Sequence, residues 1–166
     1  FSKKRKQFLK DAEIRELAQI GDIGSHSMTH RFMNRLTDEE ALSEFRDSKN
    51  WLEDITGERI LSFAMPGGAT RSRLYALGQS VGYLMIATSN PWVNFVDHLI
   101  NNPVLNRMEV RANTSMEDFA RILTLDSFYY HRKLWRQRVV NAGKALVPEQ
   151  SLREFRHRLR QREANR

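Results

Sequence analysis

The chain has 166 residues, 40% of them hydrophobic, enough for one ordinary globular core. It carries 27 Lys+Arg against 20 Asp+Glu, a formal +7, but residues 127–166 hold 11 basic and 3 acidic residues, a local +8, while residues 1–126 come to about −1. The absence of cysteine excludes a disulfide framework and any Cys-ligated zinc, and no apolar run approaches the roughly 20 residues of a membrane span.

No signal peptide is visible, in a chain that opens at Phe1 rather than at a methionine. Residues 1–10 are basic (Lys3, Lys4, Arg5, Lys6) and read as a linker or a solvated helix start. Asp11 is expected to cap a helix with Ile14, Leu17 and Ala18 on one face, ended by Gly21. Residues 23–25 read as a short buried strand, and they run into Ser25-His26-Ser27-Met28-Thr29-His30. If the backbone turns helically after Ser25, His26 and His30 share one face and their imidazoles converge on one point. A divalent metal, most often zinc, is what such a pair holds; the plain alternative is two polar loop histidines.

Thr37-Asp38-Glu39-Glu40 has the form of a capping box. It opens a helix whose core stripe is Ala41, Phe45, Ser48, Leu52 and Ile55, stopped by Gly57. Residues 60–65 read as a buried strand closed by Pro66-Gly67-Gly68, residues 71–81 as a helix with Leu74 and Leu77 inward, and residues 83–88 as a second buried strand. Asn90-Pro91-Trp92 breaks that strand, and a long connection containing Trp92, Phe95 and His98 follows. Residues 104–111 alternate loosely (Val104, Met108, Val110) as one more strand. Thr114 to Glu117 predicts a second capping box, opening a helix with Phe119, Ala120 and Leu123 buried.

Regular strand–helix succession argues for a parallel sheet with helices packed outside it, whose site lies at the carboxyl ends of the strands. His26 and His30, Pro66-Gly67-Gly68, and Asn90-Pro91-Trp92 each follow a predicted strand, so three segments are expected at one rim. From Ser127 onward aromatic residues (Phe128, Tyr129, Tyr130, Trp135) lie among arginines, and Pro148 starts a stretch with Leu152, Phe155 and Leu159, which together predict two amphipathic helices. Either they pack one face on the domain with solvated arginines, or they meet an anionic membrane surface or an acidic polymer. Nucleic acid is disfavoured, since no recognised nucleic-acid motif accompanies the charge.

Three of these segments resemble the polysaccharide deacetylases, the carbohydrate esterase family 4 group. Residues 21–30, containing His26 and His30, resemble the family's histidine motif; Ser62-Phe63-Ala64-Met65-Pro66-Gly67-Gly68 is similar to its groove motif; and residues 48–57 are similar to the helix between the two. The resemblance covers roughly residues 11–125. It implies an α/β fold, a distorted parallel (β/α) barrel, and metal-dependent removal of acetyl groups from N-acetylated sugars of a glycan. In the family, two histidines and an aspartate hold the metal, usually zinc, and a neighbouring aspartate is the base. The resemblance therefore assigns His26 and His30 as ligands and Pro66, Gly67 and Gly68 as pocket lining, with Trp92 stacking a sugar face or packing as a loop aromatic.

The chain departs from the family at several points. Nothing before Gly21 resembles the aspartate motif, so the barrel is expected to be incomplete at its N-terminal side, with the missing strand in a longer protein or supplied by another segment. Open sheet edges of that kind predict aggregation or dependence on a partner segment. Ala64 and Gly67 stand where many members have an arginine and an aromatic residue. The late histidine used by many members as general acid has only His98 as a candidate. The expected organisation is a deacetylase-like domain over residues 1–126 and a basic helical extension over 127–166. The rival expectation is a degenerate member that keeps the fold as a binding or scaffold module.

Overall fold

The computed structural model describes residues 8–68, 71–101 and 104–145. They fall into two compact units, one within Phe1–Ser89 and Val93–Arg107, the other within Asn90–Trp92 and Met108–Arg166.

The first unit is built on helix α2 (Asp38–Thr56). Its N-terminus closes as the sequence predicts: Thr37 Oγ1 accepts from the Glu40 N–H at 3.2 Å and the Glu40 carboxylate accepts from the Thr37 N–H at 2.9 Å. Gly57 ends it at φ +72°, a left-handed cap. The stripe of Ala41, Phe45, Ser48 and Ile55 is buried, with Leu52 partly so. Helix α1 (Asp11–Ala18) starts one residue earlier than expected: Lys10 is the cap, and its N–H donates to Glu13 at 2.6 Å. Of its apolar face only Ile14 is buried.

Strands β1 (Ser62–Ala64), β2 (Met85–Ala87) and β3 (Val104–Leu105) form a parallel sheet in that order, with Phe63 opposite Ile86 and Ile86 opposite Val104. Helix α3 (Ser72–Ser80) crosses between β1 and β2. Gly78 lets it sit close to the sheet, since a Cβ there would lie 2.6 Å from Ile86 Cδ1. Phe45, Phe63 and Tyr83 meet with ring centroids 4.5 to 5.8 Å apart, and Ile60, Met65, Leu74 and Ile86 complete this core. Phe63 and Ile86 thus turn to the core, while Ser62, Ala64, Met85 and Ala87 alternate to the opposite face and stay partly exposed.

The architecture is α/β with an open sheet, not a closed barrel, among the described residues. Several predicted strands shrink. Residues 23–25 contribute one bridge, Ser25 to Phe63, on the edge of β1 away from β2. The strand expected over 104–111 stops at Leu105, leaving Met108 and Val110 outside it. The long connection contains a short helix, α4 (Val96–Asn101).

In the second unit, α5 (Met116–Leu123) is capped by Ser115, whose hydroxyl accepts from the Asp118 N–H at 3.0 Å, one residue later than the expected Thr114 box. None of its residues is buried, and Leu123, expected inside, is 67% exposed. Helix α6 (Ser127–Ala145) is held by Tyr129 and Tyr130, both buried, and the Tyr130 hydroxyl donates to Ile122 O at 3.2 Å. The second expected helix of the basic extension lies outside the described residues.

Candidate functional site

His26 follows the single bridge residue of the edge. Ser25 N–H donates to Ser62 O at 2.9 Å and Ala64 N–H donates to Ser25 O at 2.8 Å, so the chain leaves β1's edge with His26 beside the strand's end. The His26 Nδ1 lies 2.6 Å from Ala64 O. A carbonyl oxygen only accepts, so Nδ1 carries the proton and Nε2 is the nitrogen left for a ligand. This is how metal-binding histidines are commonly oriented. The His30 ring stands edge-on to it, with centroids 4.9 Å apart and planes at 73°. Both side chains are solvent-accessible.

The two imidazoles converge as the spacing predicts, but not by the predicted route. Residues 26–30 form no helical turn; Ser27 (φ +67°) and His30 (φ +57°) are both left-handed. The loop is pinned from α2 by Glu44, only 7% exposed: the Met28 and Thr29 N–H groups donate to its Oε2 at 2.8 and 2.9 Å, and the Thr29 hydroxyl donates to Oε1. Ser27 Oγ accepts from the His30 N–H at 3.0 Å. Such paired backbone donation to one carboxylate offsets the cost of two left-handed non-glycine residues, about 1–2 kcal/mol each. Sequence reading missed Glu44. Its signal is a charged residue three after Ala41 and four before Ser48, on an otherwise apolar stripe.

Pro66, Gly67 and Gly68 follow β1 as a tight turn, with Gly67 at φ +65° and Gly68 at φ +69°. The Gly68 N–H donates to Met65 O at 2.9 Å, so it closes the turn and does not face outward. A Cβ at Gly67 would strike the Phe32 ring, and one at Gly68 would strike Ser89 after β2. The glycines thus admit the close approach of three segments at the carboxyl ends of the strands. Trp92 belongs to the second unit, where its ring meets His131 edge-on at 4.8 Å. His98, on α4, is exposed and contacts the Phe95 ring.

A cavity of about 480 Å³ lies elsewhere, among Ala18, Asp22, Ile60, Ser62, Leu84 and Met85. Ile60 and Ser62 sit at the start of β1, Leu84 and Met85 at the start of β2, and Ala18 at the end of α1, so the cavity lies at the end of the sheet away from the histidines. Parallel sheets place their chemistry at the other end, where the histidines lie. Among the described residues no group of three His, Cys, Asp or Glu side chains comes together. Among the described residues the His26 and His30 pair thus has no third His, Cys, Asp or Glu gathered with it.

A peptidoglycan-N-acetylmuramic acid deacetylase of Bacillus subtilis, PdaC, is 31% identical over 70 residues, 42% of this chain and 15% of the relative. A peptidoglycan-N-acetylglucosamine deacetylase of Bacillus cereus is 28% identical over 91 residues, 51% of this chain and 42% of the relative. The chain thus spans less than half the length of either. In fold it is similar to the Streptococcus pyogenes deacetylase PplD solved with acetate, at a TM-score of 0.61 and 20% identity, over 69% of this chain and 50% of that one. The model of the polysaccharide deacetylase family matches residues 3–86, the stretch that carries the histidine loop, α2 and the Pro-Gly-Gly turn, and the chain belongs to that family.

Proposed function

We propose that this chain is part of a metal-dependent hydrolase that removes acetyl groups from N-acetylated sugars of a glycan, with His26 and His30 as two of the metal's ligands. The observation that carries this reading is the His26 imidazole, whose Nδ1 is taken by Ala64 O, leaving Nε2 for a ligand, with the His30 ring edge-on at 4.9 Å between centroids. Two imidazole nitrogens suit zinc or a similar borderline ion. The carboxylate ligand and the base of this reading come from outside the described residues, on a strand that would extend the open sheet beside Ser25 toward the family's distorted barrel. When bound, the ion supplies Lewis acidity that polarises an amide carbonyl and acidifies water.

The chain's own residues then have distinct tasks. Ala64 O fixes the His26 tautomer, Glu44 holds the His30 loop, and the Pro66-Gly67-Gly68 turn walls the pocket. Because Gly68 closes the turn, Gly67 is the glycine whose amide is placed in this reading to meet an oxyanion. Trp92 lies in the second unit with its ring against His131, and His98 is exposed on α4 against Phe95, so neither takes a task in this reading. Water cleaves the C–N bond, giving acetate and the free amine.

The test measures zinc affinity of the chain beside a His26→Ala, His30→Ala double variant, and acetate release from N-acetylated chitin and peptidoglycan oligosaccharides. Stoichiometric zinc lost in the double variant supports the reading. Equal zinc affinity in the two proteins refutes it and leaves the fold as a glycan-binding module.

A further inference from the structure

Helix α6 presents a face that the deacetylase reading does not use. Phe128, Trp135 and Val139 are spaced by seven and four residues, so they line one stripe of the helix. They are 73%, 66% and 51% exposed. Tyr129 and Tyr130 turn to other sides of the helix and are buried, at 1% and 5% exposure, so α6 is already anchored in its unit while this stripe faces solvent. Arg132 and Arg136 border the stripe on one side and Arg138 on the other, at helical angles of about 40 to 80° from its centre. The whole of Ser127–Ala145 contains no Asp or Glu, and the sequence from residue 146 onward adds six arginines against three glutamates.

We propose that this face of α6 docks the protein on an anionic lipid surface, lying in the plane of the interface with Phe128, Trp135 and Val139 among the upper acyl chains and the arginines on the headgroups. An apolar stripe with an aromatic residue near its middle, flanked by cations that can extend to phosphate, is the pattern of an interfacial helix. An acidic polysaccharide or a nucleic acid would use the arginines and stack at most a ring on Phe128 or Trp135, leaving Val139 in water, where exposed apolar patches are unfavourable. Charge complementarity together with the stripe therefore selects a membrane. No helix among the described residues is long and apolar enough to cross one, so the contact is peripheral.

The experiment follows the whole chain partitioning onto vesicles of phosphatidylcholine, alone or mixed with phosphatidylglycerol, by flotation and by tryptophan emission. Binding to the mixed vesicles at low salt, at least tenfold over phosphatidylcholine alone and weakened by added salt, is expected. Arg132→Gln with Arg136→Gln should weaken partitioning by roughly 30-fold, since each basic residue at such a surface contributes about 1 kcal/mol. Trp135→Ser should weaken it by roughly tenfold through lost apolar burial. These positions are exposed, and an unchanged melting temperature shows that each variant folds. Failure to bind the mixed vesicles overturns the proposal. So does a Trp135→Ser variant that binds as tightly as the parent, or complete displacement by polyglutamate or an oligonucleotide at equal charge, because either result makes the contact purely ionic.

Discussion

Replacing Glu44 with alanine tests how the histidine loop is held. Three donors lose their acceptor: the Met28 N–H, the Thr29 N–H and the Thr29 hydroxyl. Hydrogen bonds to a buried charged group contribute about 1.5–3 kcal/mol each, but these donors lie on a solvent-accessible loop and regain water once it detaches, so the net loss is about 2 kcal/mol. That corresponds to a roughly 30-fold rise in the loop's opening equilibrium. Amide hydrogen exchange read by NMR should show Met28 and Thr29 exchanging faster by that factor, while the Gly57 amide, which donates to Glu53 O at 2.9 Å, keeps its protection. Glu44→Gln retains one carbonyl oxygen for the two amides and should lose about 1 kcal/mol, the charge-assisted part. On the proposed metal reading, Glu44→Ala also lowers zinc affinity by about tenfold or more, the usual effect of removing a residue that orients a ligand. Wild-type exchange rates at Met28 and Thr29 in Glu44→Ala would refute the clamp.

Two further outcomes are expected from the same unit. Gly68→Ala forces a side chain into a left-handed backbone against the Ser89 nitrogen, 2.7 Å from the built Cβ, and should cost about 3 kcal/mol in urea unfolding. Gly21→Ala, with open space around its Cβ, should change stability by less than about 1 kcal/mol, and equal losses at the two positions would contradict the packing argument. The third outcome concerns acid. Burial alone would raise the Glu53 carboxyl, but the Lys49 ammonium at 2.5 Å and the Ile60 N–H at 2.8 Å outweigh it and hold Glu53 below its ordinary value of 4.5. A depressed folded pKa stabilises above the unfolded value and is lost as pH falls through the folded one. The stability gap between the parent and Glu53→Gln should therefore be widest near neutral pH and close on acidification below about pH 4.5. A gap that does not change with pH would show that Glu53 contributes no charge-dependent stability.

Helix α2 was legible because every local signal agreed: the Thr37–Glu40 box, the four-and-three stripe and Gly57 all lie within its own residues. The family was legible in the histidine pair and the Pro-Gly-Gly turn, since both motifs are contiguous. What escaped was decided across segments. No helical propensity of Ser27 to His30 competes with the bonds that Glu44, fourteen residues further on, offers to that loop. The strand at Val104 was read too long because apolar alternation at Met108 and Val110 continues after its partner strand has ended at Ala87. Helix α5 shows the reverse error. Its stripe of Phe119, Ala120 and Leu123 has the period of a buried face, but periodicity reports only that a face is apolar and not that anything covers it.

The single turn of α2 from Glu44 to Ser48 reaches both ends of the histidine loop. Ser25 Oγ donates to Ser48 Oγ at 2.7 Å just before His26, Ser48 Oγ donates to Glu44 O at 2.7 Å, and the Glu44 carboxylate grips Met28 and Thr29 just before His30. Both ends of the loop thus refer to one turn of α2, with His26 held in addition by the end of β1, and a shift of that turn reaches both imidazoles. Errors in position are shared by the pair and cancel in the distance between them, so His26 and His30 can keep their spacing while pocket walls on other segments are exchanged. On the proposed deacetylase reading, substrate choice can then change around a pair whose internal gauge stays constant.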